Sequence, residues 1–111
     1  MPTLEVDGKG YDVDEEGYLT DWSTWTPAVG EVMAKEDGLE LTEEHRDVIT
    51  FLREYFEKYQ IAPMIKILTK ELKKKYGKEK GSTKYLYELY PAGPAKQACR
   101  YAGLPKPTGC V

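Results

Sequence analysis

Cysteine, histidine and arginine are scarce in this chain of 111 residues: two cysteines, one histidine and three arginines, Arg46, Arg53 and Arg100. Two cysteines 11 positions apart and one distant histidine do not make the four ligands of a structural zinc site, so no metal is expected. No glycine-rich phosphate loop and no Ser/His/Asp constellation is present, which removes the commonest nucleotide-binding and hydrolytic classes and leaves no cofactor to expect. No apolar run approaches the ~20 residues of a membrane helix. The opening Met1-Pro2-Thr3-Leu4-Glu5-Val6-Asp7 lacks the basic start and apolar core of a secretory signal, so a cytoplasmic location is expected. Repeats and low-complexity tracts are absent too, and the length allows one core and one domain.

What is present is a globular composition, 41% hydrophobic and 32% charged, with charge unevenly distributed. The net −3 combines −11 over residues 1 to 47, no net charge over residues 48 to 65, +6 over residues 66 to 84, where eight lysines face Glu71 and Glu79, and +2 over residues 85 to 111. Such a dipolar chain could offer its basic segment to a nucleic acid or an acidic protein; a solvated lysine face is the plainer reading.

Apolar and polar residues alternate from Leu4 to Asp14 around Gly8-Lys9-Gly10, which predicts a short β-hairpin turning there. Thr26-Pro27 opens a helix that stops before Gly38, with Trp25, Val29, Val32 and Met33 as its buried stripe. Thr42, followed by Glu43 and Glu44, caps the clearest helix, whose inward face carries His45, Val48, Ile49, Leu52, Tyr55, Phe56 and Tyr59. His45 therefore reads as packing.

Pro63 opens a lysine-rich helix that buries Ile65, Leu68 and Leu72 and ends at Gly77. Ser82 caps a short one, carrying Leu86, Leu89 and Tyr90, that ends before Pro91. The last helix runs from Pro94 to Gly103 with Ala95, Ala98, Cys99, Tyr101 and Ala102. The segment from Leu104 onward, with two prolines, a glycine and no apolar period, is expected to be an arm. The expected fold is mainly α: an orthogonal helical bundle with a helix-turn-helix-like part, a small N-terminal β-hairpin and a flexible C-terminal arm. Residues 1–103 would form the helical domain and 104–111 the mobile arm.

The chemistry concentrates on Cys99 and Cys110. Cys99 alone fits a small buried hydrophobe. Cys110 stands in a tail rich in proline and glycine, where an exposed thiol oxidises and cross-links, so a thiol there is better read as used than as tolerated. An eight-residue arm extended at about 3 Å per residue reaches roughly 25 Å, enough to enter another protein's cleft. Folded back, it could bring Cys110 within disulfide range of Cys99, closing a loop worth about 3 kcal/mol in the chain-entropy model. Pro105 and Pro107 limit the shapes that the arm gives up on insertion, and Gly109 lets the backbone crowd close to whatever Cys110 meets. Lys106 would lower the Cys110 thiol only weakly, and no base stands beside it. Activation must come from a partner, which suggests a carried thiol and not a self-sufficient catalyst.

A rival reading starts from residues 63 to 90. Helix, turn and helix, with Lys78, Lys80 and Lys84 around the second helix, resemble a DNA-binding helix-turn-helix. The acidic net charge and the shortage of arginine, the main base-reading side chain, weigh against DNA as the partner.

The tail Pro91-Ala92-Gly93-Pro94-Ala95-Lys96-Gln97-Ala98-Cys99-Arg100-Tyr101-Ala102-Gly103-Leu104-Pro105-Lys106-Pro107-Thr108-Gly109-Cys110-Val111 resembles the C-terminus of the DsrC/TusE sulfur-relay family. The likeness extends to Asp14-Glu15-Glu16-Gly17-Tyr18-Leu19, Leu41-Thr42-Glu43-Glu44-His45 and Gly77-Lys78-Glu79-Lys80-Gly81-Ser82. It implies a sulfur carrier in which Cys110 accepts sulfane sulfur and Cys99 joins it in a disulfide, or in a trisulfide through an added sulfur atom. The arm, including Arg100, Pro105, Lys106, Pro107 and Gly109, would enter the siroheme cleft of the α and β subunits of dissimilatory sulfite reductase. Further partners implied are sulfur-donor proteins of the relay and a membrane thiol/disulfide redox complex, met through its cytoplasmic subunit. TusE-type members, which serve tRNA 2-thiouridine synthesis, keep only the penultimate cysteine, so Cys99 favours the dissimilatory branch. The stretch from Lys73 to Ser82 is more similar to members from sulfur oxidisers than to the shorter form in many sulfate reducers. Arg46 stands where relatives often have tryptophan, and Tyr90 where they have phenylalanine.

Overall fold

A computed structural model describes residues 2–61, 63 and 65–105. Two strands, β1 (Thr3–Val6) and β2 (Lys9–Asp12), precede five α-helices: α1 (Pro27–Glu36), α2 (Glu43–Tyr59), α3 (Ile65–Tyr76), α4 (Thr83–Leu89) and α5 (Pro94–Tyr101). Short 3-10 turns at Trp22–Thr24 and Lys78–Gly81 complete the order. The architecture is mainly helical with a small antiparallel hairpin, as expected, and no described helix is long and apolar enough to cross a membrane.

The hairpin pairs Leu4 with Tyr11 and Val6 with Lys9, so the two-residue turn is Asp7-Gly8 and not Gly8-Lys9-Gly10. Asp7 and Gly8 both adopt positive φ, 50° and 80°, the geometry that matches the twist of a two-residue hairpin. That register turns Leu4, Val6 and Tyr11 to one buried face, which packs with Val13 and Leu19 into the helical core.

Pro27 follows Thr26, the N-cap of α1, which buries Val29, Gly30, Met33 and Ala34; Val32 is only partly buried. On α2 the face His45, Val48, Ile49, Leu52 and Phe56 is buried, while Tyr55 is partly exposed and Tyr59 is 52% exposed, because the stripe drifts off the core in the last turn. His45 ties two elements together. Its Nδ1 accepts from the Thr42 backbone N–H at 3.1 Å, which leaves the proton on Nε2 to be donated to the Leu89 carbonyl at 2.7 Å. Leu68 and Leu72 hold α3 in the core, and the following 3-10 turn folds back against it. There Gly81 lies so close to Lys73 that an added Cβ would meet its backbone N at 2.7 Å. Ser82 accepts from the Tyr85 N–H at 3.1 Å and so starts α4.

Candidate functional site

The helix carrying Cys99 is short, and its last turn would leave carbonyls without helical partners unless something else met them. Nearly every one is met. Ala98 O accepts from Ala102 N at 2.9 Å, Arg100 O from Gly103 N at 3.1 Å, and Cys99 O from Leu104 N at 3.0 Å. The last two bonds are the 5→2 and 6→1 pair of a Schellman motif, and Gly103 supplies the required positive φ, 73°. The two carbonyls beyond are claimed by distant side chains: Trp25 Nε1 donates to Tyr101 O at 2.7 Å and Arg53 donates to Ala102 O at 2.7 Å.

Arg53 also donates to Trp22 O at 3.1 Å, and its guanidinium lies 5.3 Å from the Trp22 ring centroid and 4.3 Å from that of Trp25. Burial holds its pKa below the usual arginine value, with Glu57 acting in the opposite sense. Gly30 and Gly103 complete the brace: a Cβ on Gly30 would meet Tyr101 O at 2.6 Å, and one on Gly103 would run into the Trp25 ring.

Cys99 is 1% exposed and belongs to the hydrophobic core. Burial raises the Tyr18 phenol to about 12, and a charge on Cys99 pushes it the same way. Tyr90 is raised well above the ordinary tyrosine value, again chiefly by burial, with Cys99 among the minor causes. Cys99 thus shares the buried core with the aromatic rings of Tyr18 and Tyr90. Leu104, expected as the first residue of the arm, is fully buried, whereas Pro105 is exposed, so the chain leaves the core between them.

Arg100 was expected in the partner-binding arm; it lies in α5 and binds its own fold. It donates to Asp37 Oδ2 at 2.7 Å, to Glu36 Oε1 at 3.2 Å and to Gly17 O at 3.4 Å, with 19% of its side chain exposed. Tyr101 donates to the same Asp37 oxygen at 2.6 Å and accepts from Gln97 Nε2 at 2.8 Å. Burial and the bond to Asp37 raise the Tyr101 phenol above its usual value. A shallow cleft lined by Glu16, Tyr18, Asp37, Lys96, Gln97 and Arg100 lies over this network.

Of the remaining sequence candidates, Lys78 and Lys80 are in the second 3-10 turn and Lys84 is in α4. Lys78 and Lys84 are exposed, while Lys80 reaches Glu44 at 3.6 Å. Lys106, Pro107, Gly109 and Cys110 lie outside the described residues. Sequence reasoning missed Arg53, Trp25, Gly30 and Asp37 as parts of the site. One signal existed: Arg53 follows Ile49 by four and precedes Phe56 by three, so it borders the buried face of α2.

A family model described as "DsrC like protein" matches residues 5–111. Sulfurtransferase TusE of Pectobacterium atrosepticum is 44% identical over 108 residues, covering 97% of this chain and 99% of that protein. The NMR structure of Allochromatium vinosum DsrC is 69% identical with a TM-score of 0.91, over 98% of this chain and 97% of that one. The crystal structure of the oxidised gamma-subunit of dissimilatory sulfite reductase (DsrC) from Archaeoglobus fulgidus is 50% identical with a TM-score of 0.88, over 99% of this chain and 100% of that one. With the braced C-terminus of α5 leading into a second cysteine, and with these likenesses spanning nearly its whole length, the chain belongs to the DsrC-like family.

Proposed function

We propose that this protein is a sulfur carrier of dissimilatory sulfur metabolism, with Cys110 as sulfur acceptor, Cys99 as its partner thiol and siroheme sulfite reductase as a client. The observation that carries the reading is the mounting of the tail. A buried Cys99 sits at the foot of a rigidly braced exit, and Cys110 follows Leu104 by six residues, a reach of about 20 Å. A fixed root and a short tether present one thiol to a partner's pocket while keeping the other in reserve.

The chemistry balances without a resident cofactor. The Cys110 thiolate attacks the outer sulfur of a donor persulfide; a Cys110 persulfide forms and the donor leaves as a thiolate. Attack by Cys99 on the inner sulfur of that persulfide then forms the Cys99–Cys110 disulfide and releases the outer sulfur as sulfide. With a sulfite reductase as client, both thiols would instead give two electrons to sulfur at the +2 level, its oxygens leaving as water with the thiol protons, and hold it as the zero-valent central sulfur of a trisulfide.

The likeness to TusE supports a second reading, delivery of sulfur to tRNA thiolation. One experiment separates them. The reduced chain is incubated with a siroheme sulfite reductase turning over limiting sulfite. A bridged adduct that needs both cysteines is the expected product; no adduct, together with sulfur transfer to a tRNA-thiolating enzyme that survives Cys99→Ala, overturns the dissimilatory reading.

A further inference from the structure

If Cys99 reacts, something must uncover it, since its side chain is 1% exposed. Ala102, Gly103 and Leu104, the three residues after α5, are all fully buried or nearly so. In a Schellman motif the residue two beyond the cap packs back on the last helical turn, which here sets Leu104 toward the turn that holds Cys99. The chain emerges at the exposed Pro105, so a pull on the tail acts first on Leu104.

Besides the burial of Ala102 and Leu104 in the core and their own N–H bonds to α5, these three residues are held, among the described residues, by the Arg53 bond to Ala102 O and the Trp25 ring against Gly103. Trp25 fixes the adjoining carbonyl as well, through its bond to Tyr101 O at 2.7 Å. Both side chains are only partly buried, at the rim of the core. Their contacts can be released without dismantling the interior, the kind of local opening that costs less than global unfolding.

We propose that residues 102–104 form a plug over Cys99, latched by Arg53 and Trp25, and that release of this latch is the step that exposes the Cys99 thiol. Arg53 and Trp25 are then positioning residues: they touch no sulfur, yet they set when Cys99 can meet Cys110 or a reagent. The functional weight of the plug rests on Cys99 as a reacting thiol, whereas the latch itself can be tested without sulfur.

The test is native-state labelling of Cys99 with a thiol reagent in the full chain carrying Cys110→Ser, across urea concentrations below the unfolding transition, with global stability measured in parallel. Wild-type Arg53 and Trp25 should give a labelling rate that depends on urea far more weakly than global unfolding does. Arg53→Met, which keeps bulk but removes both donors, should accelerate labelling by about 10- to 100-fold, the range for a lost charged hydrogen bond. Arg53→Lys should fall in between, and Trp25→Phe, which keeps a ring but loses the Nε1 donor, should accelerate it about fivefold. Labelling that follows the full urea dependence of global unfolding overturns the plug, as does a sub-global labelling rate that Arg53→Met and Trp25→Phe leave unchanged while lowering global stability. Should Arg53→Met fail to fold, Trp25→Phe and the urea dependence of the parent decide. Absence of sulfur uptake on Cys110 would instead strike the carrier reading and leave these rates unchanged.

Discussion

Substituting Gly30 by alanine sets two effects of opposite sign against each other. Gly30 lies inside α1, where alanine is the better helix former by about 1 kcal/mol, so local propensity alone predicts stabilisation. The added Cβ, however, would stand 2.6 Å from the Tyr101 carbonyl oxygen, a backbone atom already held by Trp25 Nε1 at 2.7 Å. That oxygen cannot yield as the end of a flexible side chain would. Relief requires α1 and α5 to separate, at an overpacking cost of about 1–3 kcal/mol, plus about 1 kcal/mol if the Trp25 bond is lost. The sum favours destabilisation by about 2 kcal/mol, or roughly 10 °C in Tm for a domain of this size. Urea unfolding followed by tryptophan fluorescence reads it directly, because Trp25 borders the contact. Gly38→Ala is the control: its φ is +74° but its Cβ would meet nothing, so it should lose only about 1 kcal/mol. A Gly30→Ala protein as stable as the parent, or more so, would refute the close seating of α5 on α1.

His45→Ala should cost about 3–5 kcal/mol in the same assay, because it leaves the Leu89 carbonyl without its donor and empties the space beside Tyr90, whose ring meets the imidazole edge-on at 5.0 Å. Stability should also show an alkaline limb. Tyr18 and Tyr85 are raised to about 12, and Tyr90 and Tyr101 are raised too, all from an unfolded value near 10. Their contribution is complete below pH ~10 and is lost as pH climbs toward ~12, the deeply buried Tyr90 steepening the fall by up to about 1.4 kcal/mol per pH unit and the more exposed Tyr85 adding less because solvent screens it. Tyr18→Phe should shallow that limb; a flat profile to pH ~12 would contradict the burial argument.

Local signals in the sequence carried most of the fold. Pro27, whose ring fixes φ at the first helical position, and Thr42, Ser82 and Gly103, through bonds made within a few residues, mark helix ends, and the α2 stripe from His45 to Phe56 is periodic enough to name its buried face. The hairpin turn slipped because Gly8 and Gly10 both permit turning; the pairing that buries Leu4, Val6 and Tyr11 together selects Asp7-Gly8. The brace around α5 was not legible. Trp25 and Tyr101 are 76 residues apart and Arg53 and Ala102 are 49 apart, and nothing periodic connects them. Leu104 read as arm because prolines and a glycine follow it, yet the backbone geometry at Gly103 folds it back into the core. Arg100 read as a partner-facing cation, and Glu36 and Asp37 at the end of α1 occupy it instead.

Intact-mass analysis after incubation with a persulfide donor, followed by fragmentation to locate the added mass, bears most directly on the carrier account. The account predicts one extra sulfur atom on Cys110 in Cys99→Ala, either that persulfide or the Cys99–Cys110 disulfide it discharges to in the parent, and neither in Cys110→Ala. Uptake that persists in Cys110→Ala, or no uptake in Cys99→Ala, would contradict it.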